Sequence, residues 1–256
     1  MTDASEGRTG ETPSHALFAA ARDTMLARLD LVETRAADGG PHLTLFSHAP
    51  FHQGPCGQAR VWSGGGLHRA VAVSIVAPAI GLDTHMLFAF APSGSAVPHF
   101  TVDSVTAGGT LAFHLDLIPR LDLATHLGYM DWAYGPLTET FTQAAGIEGL
   151  TPAMITPRQR AVMSPWMIVN RATPDAFDKI GPLVATYQDH WLSLLREGAP
   201  AATLEGATRD ALRERDRRNK AIIFDPDVDK VWNQIRGLIG SEAVEAIRGL
   251  LLETGD

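Results

Sequence analysis

Six short segments of apolar and β-branched residues lie between Pro41 and Pro119, and none of the gaps between them has room for a helix. They cover residues 42–47, 58–62, 69–77, 84–90, 100–106 and 110–118. Glycine or proline punctuates the intervals, as Gly64-Gly65-Gly66, Pro78, Pro92-Ser93-Gly94 and Gly108-Gly109. Parallel strands need a crossover of a dozen or more residues, whereas tight turns join antiparallel neighbours. A chain with this middle third is confined to an antiparallel sheet.

Helical periodicity flanks the sheet. Leu17, Ala20, Ala21, Met25, Leu26 and Leu29 recur at helical spacing, with Ser14 as the expected N-cap, and the Asp38-Gly39-Gly40-Pro41 breaker ends that stretch. Beyond Pro119, helices are expected over 122–145, 174–196, 204–220 and 241–253, with an extended piece at 165–169. Helix, meandering sheet, then helices describes an α+β fold, one antiparallel sheet covered on both faces. Residues 1–13, rich in Gly, Thr and Glu, read as a disordered tail, and 14–256 as a single domain.

Composition narrows the function. Hydrophobic residues make up 45%, enough to fill a core of this size, and the net charge of −8 argues against a general nucleic-acid binder. The lone Cys56 rules out a disulfide framework or a multi-cysteine metal site built from this chain. The N-terminus lacks the basic and apolar regions of a signal peptide. The longest nearly apolar run, 70–80, is too short to span a bilayer and contains Ser74 and Pro78. A cytoplasmic protein without nucleic-acid or membrane partners is expected.

The chemistry concentrates at 99–118. By the period-2 rule His99, Thr101, Asp103 and Val105 share one face of their strand, and Ala112, His114, Asp116 and Ile118 share one face of the next. Periodicity alone allows that face to be solvated. The helices that follow need a surface to cover, and a covered polar face is a pocket. Asp225-Pro226-Asp227 reads first as a connector, since Asp-Pro favours a turn. His48 and His52 are four apart, but Pro50 between them spoils a helical metal pair, and no metal site is expected. The glycines at 64–66 fit no phosphate-binding spacing, and there is no Gly-x-Ser-x-Gly elbow. Arg209, Arg213, Arg215, Arg217, Arg218 and Lys220 crowd one expected helix. With Glu205, Asp210, Glu214 and Asp216 among them they read as a solvated face, or as a dock for a small acidic partner.

Pro98-His99-Phe100-Thr101-Val102-Asp103 and His114-Leu115-Asp116-Leu117-Ile118-Pro119-Arg120-Leu121-Asp122-Leu123 resemble the red chlorophyll catabolite reductases, within the wider family of ferredoxin-dependent bilin reductases. The likeness continues through His126-Leu127-Gly128-Tyr129, Ser164-Pro165-Trp166-Met167-Ile168-Val169 and Phe224-Asp225-Pro226. It implies an α/β/α sandwich that binds a linear tetrapyrrole between sheet and C-terminal helices. Electrons would come one at a time from reduced ferredoxin, with no cofactor held by the chain. By that resemblance Asp103 and Asp225 are the catalytic acids, and His85, His99 and His114 are substrate-binding candidates. Arg215, Arg217 and Arg218 are the candidates for docking ferredoxin. Two departures from the phycocyanobilin-type reductases stand out: Ser74 aligns with their glutamate, and Met86 with their histidine, His85 lying one place away on the opposite face, so that group's regiochemistry need not be shared. Two other readings stand beside reduction: a non-catalytic tetrapyrrole-binding protein, and an unrelated cofactor-free hydrolase.

Overall fold

The computed structural model describes residues 12–204 and 206–256, so most of the expected tail lies outside the described residues. Helix α1 (Pro13–Arg28) opens with Thr12 as its N-cap, not Ser14. The Thr12 hydroxyl accepts the His15 N–H, and Pro13 fits the first turn, where its missing N–H costs nothing. Ser14 is buried inside the helix, its hydroxyl 2.8 Å from that of Thr106.

Among the described residues nine strands form one sheet. They are β1 (Leu31–Thr34), β2 (Leu43–Ser47), β3 (Gly54–Gly64), β4 (Leu67–Ala77), β5 (Leu82–Phe90), β6 (His99–Ala107), β7 (Thr110–Ile118), β8 (Leu150–Pro152) and β9 (Ile168–Ala172). The order is β1-β3-β4-β5-β6-β7-β9-β8, with β2 also on β3, and every pairing is antiparallel. The central strands β4 to β7 fall where the turn punctuation puts them. Strands β1 and β8, at the sheet's margins, were not expected: both are short, and their pairing is supplied by partners distant in sequence.

Prolines cut two of the expected helices. The 122–145 stretch is α2 (Leu127–Tyr134) and α3 (Thr138–Ala145), divided at Gly135-Pro136. After α4 (Pro157–Arg160), the 174–196 stretch is α5 (Pro174–Phe177) and α6 (Gly181–Glu197), divided before Pro182. Proline has no N–H for the preceding turn and its ring collides with it. The chain closes with α7 (Arg209–Ile223) and α8 (Val231–Leu252), the latter kinked at Gly240, whose φ is +81°. A side chain there would be strained and would crowd the His48 ring at 3.0 Å. The first half of α8, before the kink, had no counterpart among the expected helices.

The pleat sorts side chains into two cores. On one face Ala70, Ala72, Leu87, Phe100, Val102, Leu115 and Leu117 pack under α1, α2 and α6. On the other, Val71, Val73, Ile75, Phe88, Phe90 and Ile118 meet the end of α7 and both halves of α8. The result is an α+β fold, helices on either side of an antiparallel sheet. Among the described residues no helix is long and apolar enough to cross a membrane.

Candidate active site

The contact between sheet and α8 is incomplete. A cavity of about 640 Å³ opens between β5–β7 and β9 on one side and the first half of α8 on the other, within the range of ligand sites. Its walls are mainly apolar and include Met86, Phe88, Met167, Trp232 and Leu238. Its ionisable groups are Asp103, His114 and Asp229.

Asp103 and His114 are directly paired across the β6–β7 ladder. The register therefore places both side chains on the same face, and His114 Nδ1–H donates to Asp103 Oδ2 at 3.2 Å. The remaining heteroatoms, Asp103 Oδ1 and His114 Nε2, are buried without a protein partner. Buried polar atoms are rarely left unpaired, and these two, on one cavity wall, are open to a partner from the cavity side. Burial alone depresses His114, but the hydrogen bond and charge of Asp103, with Asp116 and Asp229 nearby, outweigh it and hold the imidazole above its ordinary pKa. Asp229, from the turn before α8, is raised by burial and by Asp103, although it accepts the Val231 N–H at 3.1 Å. Burial also raises Asp116, whose oxygens accept the Ser164 amide and hydroxyl and so fix the loop beside the cavity.

The structure divides the candidates named from the sequence. Asp103 and His114 come together as expected. Asp225 does not line the cavity: its Oδ1 accepts the Asp227 N–H at 2.7 Å and its carbonyl takes the Val228 and Asp229 amides. That is the turn reading of Asp-Pro, and the turn delivers Asp229, not Asp225, to the cavity. The clue in the sequence was a third acid, four residues beyond Asp225, but without the start of α8 nothing aimed it.

His85 lies on the far face of the sheet. Its Nε2–H donates to Asp83 Oδ1 at 2.7 Å, its Nδ1 is 2.9 Å from the Ser74 hydroxyl, and its ring stacks on Phe18 of α1. The reason is register: Met86, its neighbour in β5, takes the cavity side. Ser74 shares the far face with His85, so the cavity-side partner of Met86 is Val73, not Ser74. Ser74, His85 and Asp83 outline a hydrolase-like relay. The space beside Ser74 is about 10 Å³, room for one water and not for an acyl group. These three residues anchor α1 to the sheet.

His99 is likewise enclosed. Its Nδ1 accepts the Ala91 N–H and its Nε2–H donates to Asp216 Oδ1 at 2.6 Å, while burial drives its pKa down to about 3. Asp216 also faces Arg120 at 3.6 Å and Lys220 at 3.2 Å, all nearly solvent-free. Lys220 sits 4.2 Å above the Phe90 ring, and burial brings its pKa down to about 8. This cluster ties α7 to β6; stripping one partner from such a buried group typically costs ~3–5 kcal/mol. It thereby takes Lys220 out of the basic surface of α7. Arg217 and Arg218 are exposed, and both bond to Glu214, which they hold down to about 2. Arg215 is half-buried.

No family model matches the chain, and neither does any curated protein. Among solved structures it is similar to phytochromobilin synthase from tomato in complex with biliverdin. The TM-score is 0.72 over 94% of this chain and 83% of that one, at 16% sequence identity. At that identity the likeness shows a shared fold: the chain has the bilin reductase architecture.

Proposed function

We propose that this chain is a ferredoxin-dependent reductase of a linear tetrapyrrole, with biliverdin as the working substrate. The observation that carries the reading is the Asp103–His114 pair, with an unpartnered buried atom on each residue, on the sheet wall of a largely apolar cavity. The matched fold adds support, since the tomato protein was crystallised with biliverdin.

Reduction of one double bond consumes two electrons and two protons. Reduced ferredoxin supplies the electrons singly, and each electron added to a conjugated tetrapyrrole makes it more basic. The chain's task is to hold the pigment in one conformer, exclude water and deliver protons. Asp103 is the donor to the pigment, and protonated His114 refills it through their hydrogen bond. Asp229 is the second acid, because burial disfavours its ionised form and keeps a proton within reach. Arg217 and Arg218, with Arg215 behind them, form the surface offered to ferredoxin.

Met86, standing where the phycocyanobilin-type reductases carry a histidine, frees this chain from that group's regiochemistry, and a binding protein that kept the pocket without the chemistry is the alternative. One experiment separates the two. Biliverdin is titrated into the chain, then reduced ferredoxin is added, and the visible spectrum is followed. Stoichiometric binding with a sharpened long-wavelength band, then bleaching to a reduced bilin, is the expected result. Binding without bleaching supports the carrier, and no spectral change at micromolar concentrations removes both.

A further inference from the structure

The cavity has no cation for a carboxylate. Among the described residues that line it there is neither lysine nor arginine, and the acids Asp103 and Asp229 are both present. Any positive charge on His114 is already matched by Asp103 Oδ2. A carboxylate drawn inside would lose its hydration, gain no unmatched countercharge and face the Asp103 carboxylate, a costly way to bury an ion. The interior instead offers acceptors, at Asp103 Oδ1 and, when neutral, His114 Nε2, within apolar walls. Such a lining suits an uncharged conjugated chain of N–H donors.

The mouth extends that preference. Ile80, Met154 and Val231 border the cavity and are exposed at 48%, 91% and 40%. With exposed Gln234 and half-buried Gln159, the rim where side groups of a bound molecule would emerge is apolar surface and neutral amide, with no charged side chain of the lining exposed there.

Resting on the tetrapyrrole reading, we propose that the cavity recognises a linear tetrapyrrole only through its ring N–H groups and conjugated frame. Every carboxylate of the substrate stays outside, at the mouth, so the site takes carboxylate-esterified tetrapyrroles as readily as free diacids. This makes the site indifferent to the one feature that most sets free haem-type bilins apart from esterified pigments.

The test is a pair of titrations of the full chain, one with biliverdin and one with biliverdin dimethyl ester, each followed at the long-wavelength band. The expected dissociation constants agree within about threefold, and that of the diacid changes little with salt. Loss of a charge-assisted hydrogen bond would weaken the ester by about tenfold or more. An ester that binds tenfold worse than the diacid overturns the inference and leaves the tetrapyrrole reading standing. Failure of both pigments to bind removes that reading and the inference with it.

Discussion

Met86 stands directly opposite Asp103 across the β5–β6 ladder, so a thioether, and not a second imidazole, flanks the acid on the cavity wall. The fold already accommodates a long side chain at this position. Met86→His should therefore fold and bind pigment, while shifting the bound absorption band and the distribution of reduced products. Chromatography of the products and the bound spectrum provide the check, and indistinguishable results would mean that residue 86 does not touch the pigment.

Asp103→Asn keeps the size of the side chain and removes its transferable proton. Turnover should fall by ~10²–10⁴-fold, and a bilin radical should accumulate on mixing with reduced ferredoxin. Parent-like turnover without a radical signal in electron paramagnetic resonance counts against the mechanism, once pigment binding by the variant has been verified. The same change removes the charge that helps raise His114 and leaves at most a neutral acceptor in its place, so its imidazole should titrate lower than in the parent. A histidine raised above its unfolded value, about 6.5, stabilises the fold fully below that value and loses its contribution as pH rises through the folded pKa. In Asp103→Asn that pH-dependent contribution should shrink or vanish. Imidazole proton shifts and denaturant midpoints across pH 5–9 read both effects.

Asp229→Asn should impair turnover or change the product more than Asp225→Asn does. Asp229 lines the cavity, and Asp225 is engaged in holding the turn. Asp225→Asn should appear mainly as a stability loss of about 0.5–1.5 kcal/mol in urea denaturation. A larger catalytic defect in the Asp225 variant would reverse the assignment.

Arg217→Glu with Arg218→Glu should slow ferredoxin-driven turnover, flatten its salt dependence and leave the pigment spectrum intact. Glu214 already neutralises part of the charge of this pair, so the slowing should be severalfold and greatest at low salt. Unchanged turnover at low ionic strength would make this helix face merely solvated.

Much of this protein was legible in order along the chain. The short punctuated gaps of residues 42–118 left only antiparallel pairing for the central strands. Alternation within 110–118 put His114 and Asp116 on the face opposite Leu115 and Leu117, because a strand's pleat is local. The same rule set Met86 and His85 on opposite faces. Other features required the third dimension. Whether the Asp103 face was solvent or pocket depended on the first half of α8, and so did the choice between Asp229 and Asp225, since burial and pairing are contributed by residues remote in sequence. The six basic residues of 209–220 looked equivalent until the fold buried Lys220 against Asp216, paired Arg217 and Arg218 with Glu214, and left Arg215 half-covered. Local sequence determines which way a side chain points within its own element, and only packing determines what it meets there.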